Sequence, residues 1–308
     1  MKKKVCIIGV NYSYHVLLKS LKLLDRFNVI GIAGKKKRDE FNLKDFIYYT
    51  SWKKMINELK PDLVVIAVPP MVQEKILKYL LQKKIDFLCE KPITNKLEKI
   101  RLFKKLLKNN SNKKIVDLNF LTIPAIKKFK MIIKKLKINK NDLIKIDWFF
   151  NPKSQSDNTS WKNDTKKIGG ELNNFFFHLL SVIFYFFGYS KISLIKKKNN
   201  FYNFLINSKK VKFKVNFFSK SKFNKLSIQI KKRNNKYILI NNSKDYHNNY
   251  YIKKNNSIIY KKNFAKNKSR IFASKHILNL FLNKNDDLLN AINFERGLQI
   301  QEEIINIK

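Results

Sequence analysis

The sequence predicts an α/β protein of two domains, the first built on a parallel sheet and the second containing an antiparallel sheet. Over the first 120 of the 308 residues, short apolar runs alternate with helical stretches, and strands buried on both faces and separated by helices form parallel sheets. After residue 190, short β-rich runs follow each other without long helices, which is typical of antiparallel sheets. We therefore assign residues 1–120 to the first domain and residues 121–308 to the second, with the C-terminal helix free to pack back on the first.

The first domain alternates strands and helices in the order that a parallel sheet requires. Its strand runs are short and apolar, while its helical stretches space apolar residues three and four positions apart. Because parallel strands are joined by right-handed crossovers, each helix is expected to cover a face of the sheet. The predicted strands are Val5–Gly9, Val29–Ala33, Asp62–Val68, Phe87–Cys89 and Ile115–Asn119, and the predicted helices are Val16–Leu24, Ser51–Leu59, Val72–Gln82 and Lys96–Leu107.

The second domain begins near Asn119–Pro124, where the alternation ends. Pro124–Leu136 is predicted to be a helix because its apolar residues fall at positions 126, 129, 132, 133 and 136. The later predicted strands are Leu143–Phe150, Ile192–Ile195, Val211–Phe218, Leu226–Ile230 and Tyr237–Ile240, and the later helices are Leu172–Phe187, Ile271–Leu282 and Leu288–Ile305.

Apolar runs in this chain are too short for a membrane-spanning helix. The longest, Phe175–Phe187, has 13 residues, whereas a spanning helix needs about 18 or more. The apolar stretch near the N-terminus is too short for a signal peptide, and two cysteines cannot form a disulfide framework. With 44% hydrophobic residues the chain has material for sizeable cores, so we expect a soluble, cytoplasmic protein.

Basic residues outnumber acidic ones three to one, 66 against 22, which gives a net charge of +44. The excess is spread almost evenly along the chain and consists of 60 lysines and only 6 arginines, beside 38 asparagines. These are residues of A/T-rich codons, and arginine, the better reader of phosphates and base edges, is scarce. We expect a solvated lysine coat and no specific nucleic-acid partner, with a basic nucleic-acid binder as a rival interpretation.

The turn after the first strand is the usual place for a dinucleotide, whose pyrophosphate lies over a helix N-terminus. Against the pattern G-x-G-x-x-G, this turn keeps only Gly9. Asn11 can adopt the left-handed conformation, but its side chain hinders a close approach of the backbone to phosphate. The candidate cofactor residues here are Gly9, Asn11, Tyr12 and Ser13.

The end of the second strand bears on the choice of nicotinamide cofactor. An acidic residue that would bind the ribose diol is missing there, and Lys35 begins a run of cations. Cations favour a 2′-phosphate, which gives a slight preference for NADP over NAD. A solvated lysine loop is the alternative interpretation of the same residues.

Metal ligands and other catalytic motifs are absent from the sequence pattern. The four histidines are scattered, and Cys6 lies far from Cys89, so no metal-ligand spacing occurs. Neither a P-loop nor a G-x-S-x-G elbow is present. We expect no metal site.

Two motifs further along the chain are distinctive enough to indicate a protein family. In the first domain, a strand ends in Pro69-Pro70, Gln73 follows, and the next strand ends in Glu90-Lys91-Pro92 about 20 residues later. In the second domain, Trp161 precedes a Gly169-Gly170 pair and a helix that carries His178 and ends in Phe-Phe-Gly. In residues, order and spacing the chain resembles the Gfo/Idh/MocA family, named for glucose–fructose oxidoreductase and inositol dehydrogenase.

The resemblance implies a Rossmann domain followed by an α+β domain with an open, mainly antiparallel sheet. It also implies NAD(P)-dependent hydride transfer to or from a carbon of a sugar-like or nucleotide-sugar substrate, with the nicotinamide in a cleft between the domains. The family often assembles through the open sheet face, so the resemblance implies a homo-oligomer, a dimer or a tetramer. Runs such as Val211–Phe218 would supply that face or cover the domain's own helices.

Residue by residue, Lys91 matches the family's catalytic lysine, which stabilises or protonates the substrate oxygen. His178 matches the family's histidine, a suitable acid or base near neutral pH. Asn174 stands one helical turn earlier, where the family has an aspartate; it can orient a hydroxyl or an imidazole but cannot accept a proton. The remaining residues that the resemblance assigns are Pro69, Gln73, Glu90 and Pro92 on the cofactor side, and Trp161 and Gly170 beside the substrate.

A second class of function fits the departures from the family pattern. The eroded glycine turn and Asn174 are also what a non-catalytic relative would show. Such a protein would bind a sugar or a protein partner without turnover.

Overall fold

A computed structural model describes residues 1–35, 46–151, 170–264, 268–282 and 287–307. The chain divides into two compact units, one of Met1–Asp117 with Arg270–Gln301 and one of Leu118–Ser269 with Glu302–Lys308. The candidate substrate residue Trp161 lies outside the described residues. No helix within the described ranges combines the length and the apolar character needed to cross a membrane.

The first unit contains a parallel sheet whose described strands follow the order β3-β2-β1-β4-β5-β6. Every pairing in this sheet is parallel. The strand order is that of a dinucleotide-binding sheet, in which the chain adds strands to one side of β1 up to β3 and to the other side from β4 onward. The predicted parallel sheet is therefore confirmed, with the short edge strand β3 as an addition. The strands are β1 (Lys3–Ile8), β2 (Phe27–Ala33), β3 (Ile47–Tyr49), β4 (Leu63–Ile66), β5 (Asp86–Cys89) and β6 (Lys114–Val116).

The helices of the first unit connect these strands. The first connection is irregular, because a π-helical stretch, Ser13–Leu18, precedes only four α-helical residues. Ser51 caps α2 by accepting a hydrogen bond from the Lys54 amide at 3.3 Å. The helices are α1 (Lys19–Lys22), α2 (Trp52–Leu59), α3 (Pro70–Lys83) and α4 (Leu97–Leu107).

Residues 270–301 group with the first unit; the sequence-based assignment of residues 121–308 to the second domain left the C-terminal helix free to pack back in this way. The reason lies in the packing of the C-terminal helices, where the Phe294 ring lies edge-on to Phe87 with centroids 5.1 Å apart. A Cβ atom at Gly297 would lie 2.5 Å from Val116, so this helix approaches β6 closely. The helices concerned are α7 (Ser269–Asn279), α8 (Asp287–Ile292) and α9 (Phe294–Asn306).

The second unit contains an eight-stranded sheet with the order β14-β13-β12-β11-β7-β10-β9-β8 among the described residues. Only the β7–β10 pair is parallel, so the mainly antiparallel sheet predicted from the sequence is confirmed. The strands are β7 (Leu143–Phe150), β8 (Ser190–Lys198), β9 (Phe201–Ser208), β10 (Lys212–Ser219), β11 (Lys225–Lys232), β12 (Asn235–Asn241), β13 (Tyr250–Lys254) and β14 (Ser257–Lys261).

An aromatic core fills one side of this sheet. Trp148 is almost fully buried, and its ring lies edge-on to Phe217 at 5.7 Å, while Phe176 stacks on Phe204 at 4.3 Å. Val211–Phe218 alternates, so that its odd-numbered apolar residues are buried and its lysines are exposed. The helical segments of this unit are α5 (Pro124–Leu136), the 3-10 turn Asn119–Thr122, the π-helical stretch Leu172–Phe176 and α6 (Phe177–Phe187).

Gly9 is the position where the first unit depends on glycine. Its φ is +118°, and an added Cβ would lie 2.3 Å from the Ala67 carbonyl oxygen. We expect Gly9→Ala to lower the free energy of unfolding in urea by about 1–3 kcal/mol for the backbone conformation, and by more for the overlap. Gly188→Ala is the matched control, since φ is +81° there but no atom lies within 4 Å of the added Cβ. Equal losses in the two variants would contradict the overlap.

Candidate functional site

The turn after β1 brings the candidate cofactor residues to the carboxyl edge of the parallel sheet. The Ala67 amide donates to the Ile8 carbonyl at 2.9 Å, so the chain segments that follow β1 and β4 stay paired past the strand ends. Asn11 is exposed, Tyr12 is half-buried and Ser13 is fully buried. The Ser13 Oγ atom is buried and finds no hydrogen-bond partner among the residues that the structure describes. Buried hydroxyls are nearly always hydrogen-bonded, so this one is an exception in the turn.

The end of β2 places Lys35 on the surface. Its side chain is exposed, and residues 36–45, which carry the other cations of this loop, lie outside the described part of the chain. The slight preference for NADP therefore stays a prediction.

The Glu-Lys-Pro motif follows β5 at the same edge, and two buried glutamines hold its backbone. Gln73 donates from Nε2 to the Glu90 carbonyl at 2.8 Å and to the Pro92 carbonyl at 3.2 Å. Gln301 accepts from the Ile93 amide at 3.0 Å. The main chain before and after Lys91 is therefore held in place by hydrogen bonds with these two side chains.

This geometry changes the interpretation of Gln73. The sequence analysis placed it among the residues that contact the cofactor, but its side chain is fully buried and its amide group donates to the loop. Pro69 directly precedes α3, and its carbonyl accepts from the Gln73 amide at 3.0 Å. Gln73 therefore positions the Lys91 loop, and Pro69 accepts the main-chain hydrogen bond at the start of the helix that carries Gln73. Direct cofactor contact by either residue remains a prediction.

Asp117 is a site residue that the sequence analysis missed. It follows β6, its amide donates to the Cys89 carbonyl at 2.8 Å, and its side chain is 1% exposed. Burial raises the pKa of the Asp117 carboxyl well above its usual range and the negative charge of Glu90 raises it further, whereas Lys91 and Tyr12 lower it. An acidic residue directly after an apolar strand was the available signal.

Tyr12 joins this cluster from the turn after β1. Its hydroxyl lies 3.4 Å from the Ser274 hydroxyl. Burial raises the pKa of the Tyr12 phenol well above its usual range, and the negative charges of Asp117 and Glu90 add to the rise. Tyr12 therefore stays neutral and can donate a hydrogen bond at this edge.

In the second unit, His178 lies in the first turn of α6. Its ring stacks on Phe120 with centroids 4.3 Å apart and planes 14° apart, and the residue is 9% exposed. Asn174 donates from Nδ2 to the Gly170 carbonyl at 3.0 Å, and Gly170 has a φ of +86°. Ser181 donates to the His178 carbonyl at 2.7 Å. The asparagine and the serine thus support the backbone around the imidazole.

A second histidine, which the sequence analysis left unassigned, lies against the same ring. His247 lies edge-on to Phe120, with centroids 5.2 Å apart. Its Nε2 atom is 2.9 Å from Asn119 Oδ1. His247 is separated from His178 by 69 positions, so no local pattern could have indicated their common neighbour.

The structure places the sequence-predicted residues in two groups. Lys91 belongs to the first unit, together with the turn after β1 and the Glu-Lys-Pro loop, whereas His178, Asn174 and Gly170 belong to the second. The joint action of Lys91 and His178 stays a prediction. Across the described ranges, no group of three or more His, Cys, Asp or Glu side chains could hold a metal ion.

The strand order of the parallel sheet is that of the Rossmann fold, the class to which many dinucleotide-binding domains belong. Residues 3–118 match the family model described as "Oxidoreductase family, NAD-binding Rossmann fold" (GFO_IDH_MocA). This part of the chain therefore belongs to the Gfo/Idh/MocA oxidoreductase family, and the resemblance found in the sequence is confirmed.

A curated relative agrees with this assignment. It is an uncharacterized oxidoreductase from Synechocystis, 22% identical over 189 residues, which are 60% of this chain and 51% of the relative. The match thus spans about half the length of that protein.

Solved structures share the fold along nearly their whole length. An oxidoreductase from Thermotoga maritima has a TM-score of 0.79 at 16% identity, over 100% of this chain and 95% of its own. Aldose-aldose oxidoreductase from Caulobacter crescentus has 0.76 at 11%, over 100% and 96%. The transcriptional regulator Gal80p from Kluyveromyces lactis has 0.75 at 13%, over 100% and 89%. At these identities the likeness shows the fold alone.

The role of Gln73 in holding the loop can be tested by stability. Gln73→Leu should lower the free energy of unfolding by about 1–3 kcal/mol for each carbonyl left without a donor. Gln82→Leu, an exposed position on the same helix, should change it by less than about 0.5 kcal/mol. Urea unfolding of the two variants checks this, and a Gln73→Leu protein as stable as its control would contradict the proposed hold on the loop.

Proposed function

We propose that this protein is an NAD(P)-dependent oxidoreductase that transfers a hydride between nicotinamide and a hydroxyl-bearing carbon of a sugar-like or nucleotide-sugar substrate. The family match of residues 3–118 supports the cofactor and the reaction class. The substrate class rests on the motifs of the second domain and on the aldose-aldose oxidoreductase of the same fold. When bound, the cofactor would supply or accept the hydride.

The residues after β1 fit a dinucleotide phosphate. The observation that carries this part of the proposal is the buried Ser13 hydroxyl at the start of a helical segment, which lacks a partner among the described residues. Gly9 lets the chain turn tightly above the sheet. Ser13 would donate to a phosphate oxygen, while Asn11 and Tyr12 would flank the ligand.

Lys91 would act on the substrate oxygen. An ammonium group stabilises the developing alkoxide and can transfer its proton to that oxygen during reduction. The backbone of its loop is fixed by Gln73 and Gln301, which favours a constant position for the amine. Glu90 and Pro92 would shape the cofactor side of this loop.

His178 would be the second acid or base. Phe120 covers one face of its ring and so restrains its orientation. Asn174, bound to the Gly170 carbonyl, would position the substrate or the imidazole without taking a proton. Gly170 and Trp161 would line the substrate pocket.

The identity of the dinucleotide stays open between NAD and NADP, with NADP slightly preferred on the cations that begin at Lys35. Among proteins of the same fold, one from Desulfitobacterium hafniense is described as a putative NADPH-dependent oxidoreductase. Another, from Agrobacterium radiobacter, was solved with NAD⁺ and L-tartaric acid. Both cofactors therefore need testing.

A second candidate function is ligand binding without turnover. The observation in its favour is the pair of departures at Asn11 and Asn174, and a protein of the same fold, Gal80p, is described as a transcriptional regulator. Loss of catalysis on Lys91 substitution, described below, separates the two candidates.

Location and assembly complete the proposal. The buried free thiols Cys6 and Cys89 suit a reducing compartment, so we place the protein in the cytoplasm. Assembly through the open sheet face would juxtapose lysines such as Lys145 and Lys214, and like charges there would weaken a homo-oligomer at low salt.

Cofactor binding is tested with purified protein, NADPH and NADH, by ligand fluorescence and protection against heat. Ser13→Ala should lower the affinity about 10- to 100-fold, the value of a hydrogen bond to a charged group. Its unfolding free energy should not fall, because the hydroxyl has no described partner to lose. Ser20→Ala is the matched control, since Ser20 Oγ lies 2.8 Å from the Val16 carbonyl and 2.9 Å from the Ile271 carbonyl. That variant should lose stability but keep affinity. Binding of neither dinucleotide by the wild type would refute the enzyme proposal.

Catalysis is tested by screening sugars for NAD(P)H formation or consumption. Lys91→Ala should lower kcat about 10²- to 10⁴-fold, the usual contribution of a general acid. Its affinity for the dinucleotide should change little, and Lys83→Ala, an exposed position, should match the wild type. Turnover that survives in Lys91→Ala would exclude Lys91 as the proton donor.

A further inference from the structure

The ends of β5 and β6 bring two carboxyl groups and an amine together inside the first unit. Cys89 pairs with Val116 in the parallel ladder, and the Asp117 amide extends the ladder to the Cys89 carbonyl at 2.8 Å. The residue after Cys89 is Glu90 and the next is Lys91, so Asp117 stands beside both. Asp117 is 1% exposed, whereas Glu90 and Lys91 are half-buried.

The charges around Asp117 are unbalanced. Its carboxyl is faced by the carboxyl of Glu90, by the single positive charge of Lys91 and by the neutral hydroxyl of Tyr12. On α7, Ser274 and Arg270 act on the Tyr12 hydroxyl, and the two acids also act on the buried thiol of Cys89. A buried carboxylate beside a half-buried one, with a single ammonium near both, is costly, and retaining one proton on the carboxyl pair relieves the repulsion. Both carboxyl oxygens of Asp117 are buried and find no hydrogen-bond partner among the described residues, which disfavours the ionised form, and the raised pKa of Asp117 agrees with this.

We propose that Asp117 and Glu90 share one proton near neutral pH and exchange it with Lys91. Asp117 acts through Lys91 and is therefore a positioning residue for the proton. It supplies, in the first unit, a carboxyl that the second unit lacks at Asn174. The exchange with Lys91 deepens the proposed function and rests on it, whereas the shared proton does not.

The proton balance of a carbonyl reduction illustrates the role. As the carbonyl carbon receives the hydride, the Lys91 ammonium gives a proton to the oxygen, which becomes a hydroxyl. The C=O π bond, one N–H bond of Lys91 and the C–H bond of the hydride donor would break while a C–H and an O–H bond form on the substrate. The substrate carbon is reduced, the reduced dinucleotide of the proposed function would be oxidised, and Lys91 is left as a neutral amine. The carboxyl pair then transfers its own proton to this amine, which becomes an ammonium again, and the pair takes another proton from solvent. In the oxidation direction the same protons move the opposite way.

Infrared difference spectroscopy of the whole protein between acid and alkaline pH tests the shared proton without cofactor or substrate. A carbonyl stretching band of a protonated carboxyl should persist at neutral pH in the wild type. Asp117→Asn should abolish it, and Glu98→Gln, an exposed site, should leave it unchanged. In Glu90→Gln the band should remain but titrate about one pH unit lower or more, because a like charge is removed. A wild type without the band at neutral pH, or a band that survives in Asp117→Asn, would overturn the proposal.

Stability provides an independent measurement. A carboxyl whose pKa is raised by folding is protonated in the native state and ionised in the unfolded state over a window that begins at about pH 4. Over this window the unfolded state binds fewer protons, so the wild-type stability should fall with rising pH relative to Asp117→Asn. If the unfolding free energies of the wild type and Asp117→Asn, measured with urea, changed with pH in the same way, the shared proton would be contradicted.

Coupling to Lys91 is measured by acetylation with peptide-resolved mass spectrometry over a pH series. The Lys91 midpoint should be higher in the wild type than in Asp117→Asn, because the ionised pair favours the ammonium. Lys83 should titrate equally in both proteins. A Lys91 midpoint that is the same in the wild type and in Asp117→Asn would contradict the proposed proton exchange between the carboxyl pair and Lys91. Failure of dinucleotide binding would refute the proposed function and would leave the infrared result intact.

Discussion

The candidate site of the first unit depends on parallel main-chain hydrogen bonding that continues beyond the strand ends. The amides of Ala67, Glu90 and Asp117 each donate to the carbonyl of the last residue of a neighbouring strand at 2.8–3.0 Å. Each of these bonds holds the first residues of a loop in register with its neighbour. Because all strands point the same way, every such loop opens on one edge, and polar residues distant in sequence meet there.

This edge also sets the electrostatics. Some of the side chains that follow the parallel strands are buried, Asp117 most completely, and burial disfavours their charged forms. Asp117 and Tyr12 are both affected, and both are driven toward their neutral forms. The buried glutamines below the loop satisfy its backbone without adding charge. Charge is thereby concentrated on Glu90 and Lys91, which remain half-buried.

The second unit holds its candidate residues mainly by aromatic packing. Its sheet must bury many aromatic side chains, and the helix that carries His178 is nearly all apolar. Phe120 packs between the imidazoles of His178 and His247. The histidines are thus held by ring packing, while hydrogen bonds of Asn174 and Asn119 organise the surrounding polar atoms.

Local pattern was sufficient for most of the strands and helices, because their periodicity is carried by neighbouring residues. The parallel sheet, α5 and the long strand β7 were all predictable in this way, as was the family motif around Lys91. Strands β9, β13 and β14 were not, since asparagine, lysine and tyrosine interrupt their apolar runs and pairing with neighbours stabilises them. The membership of residues 270–301 in the first unit is likewise a matter of packing against Phe87 and Val116.

The sequence by itself determined the order of most elements, the family of the first domain and the identity of the motif residues. Only the tertiary structure decided that Gln73 supports the Lys91 loop and that Asp117 lies near Glu90 and Lys91. It also decided that His247 and His178 contact the same ring, that of Phe120. The physical reason is that a motif is read from adjacent positions. A pKa or a shared contact arises instead from groups that strand pairing brings together across tens of residues.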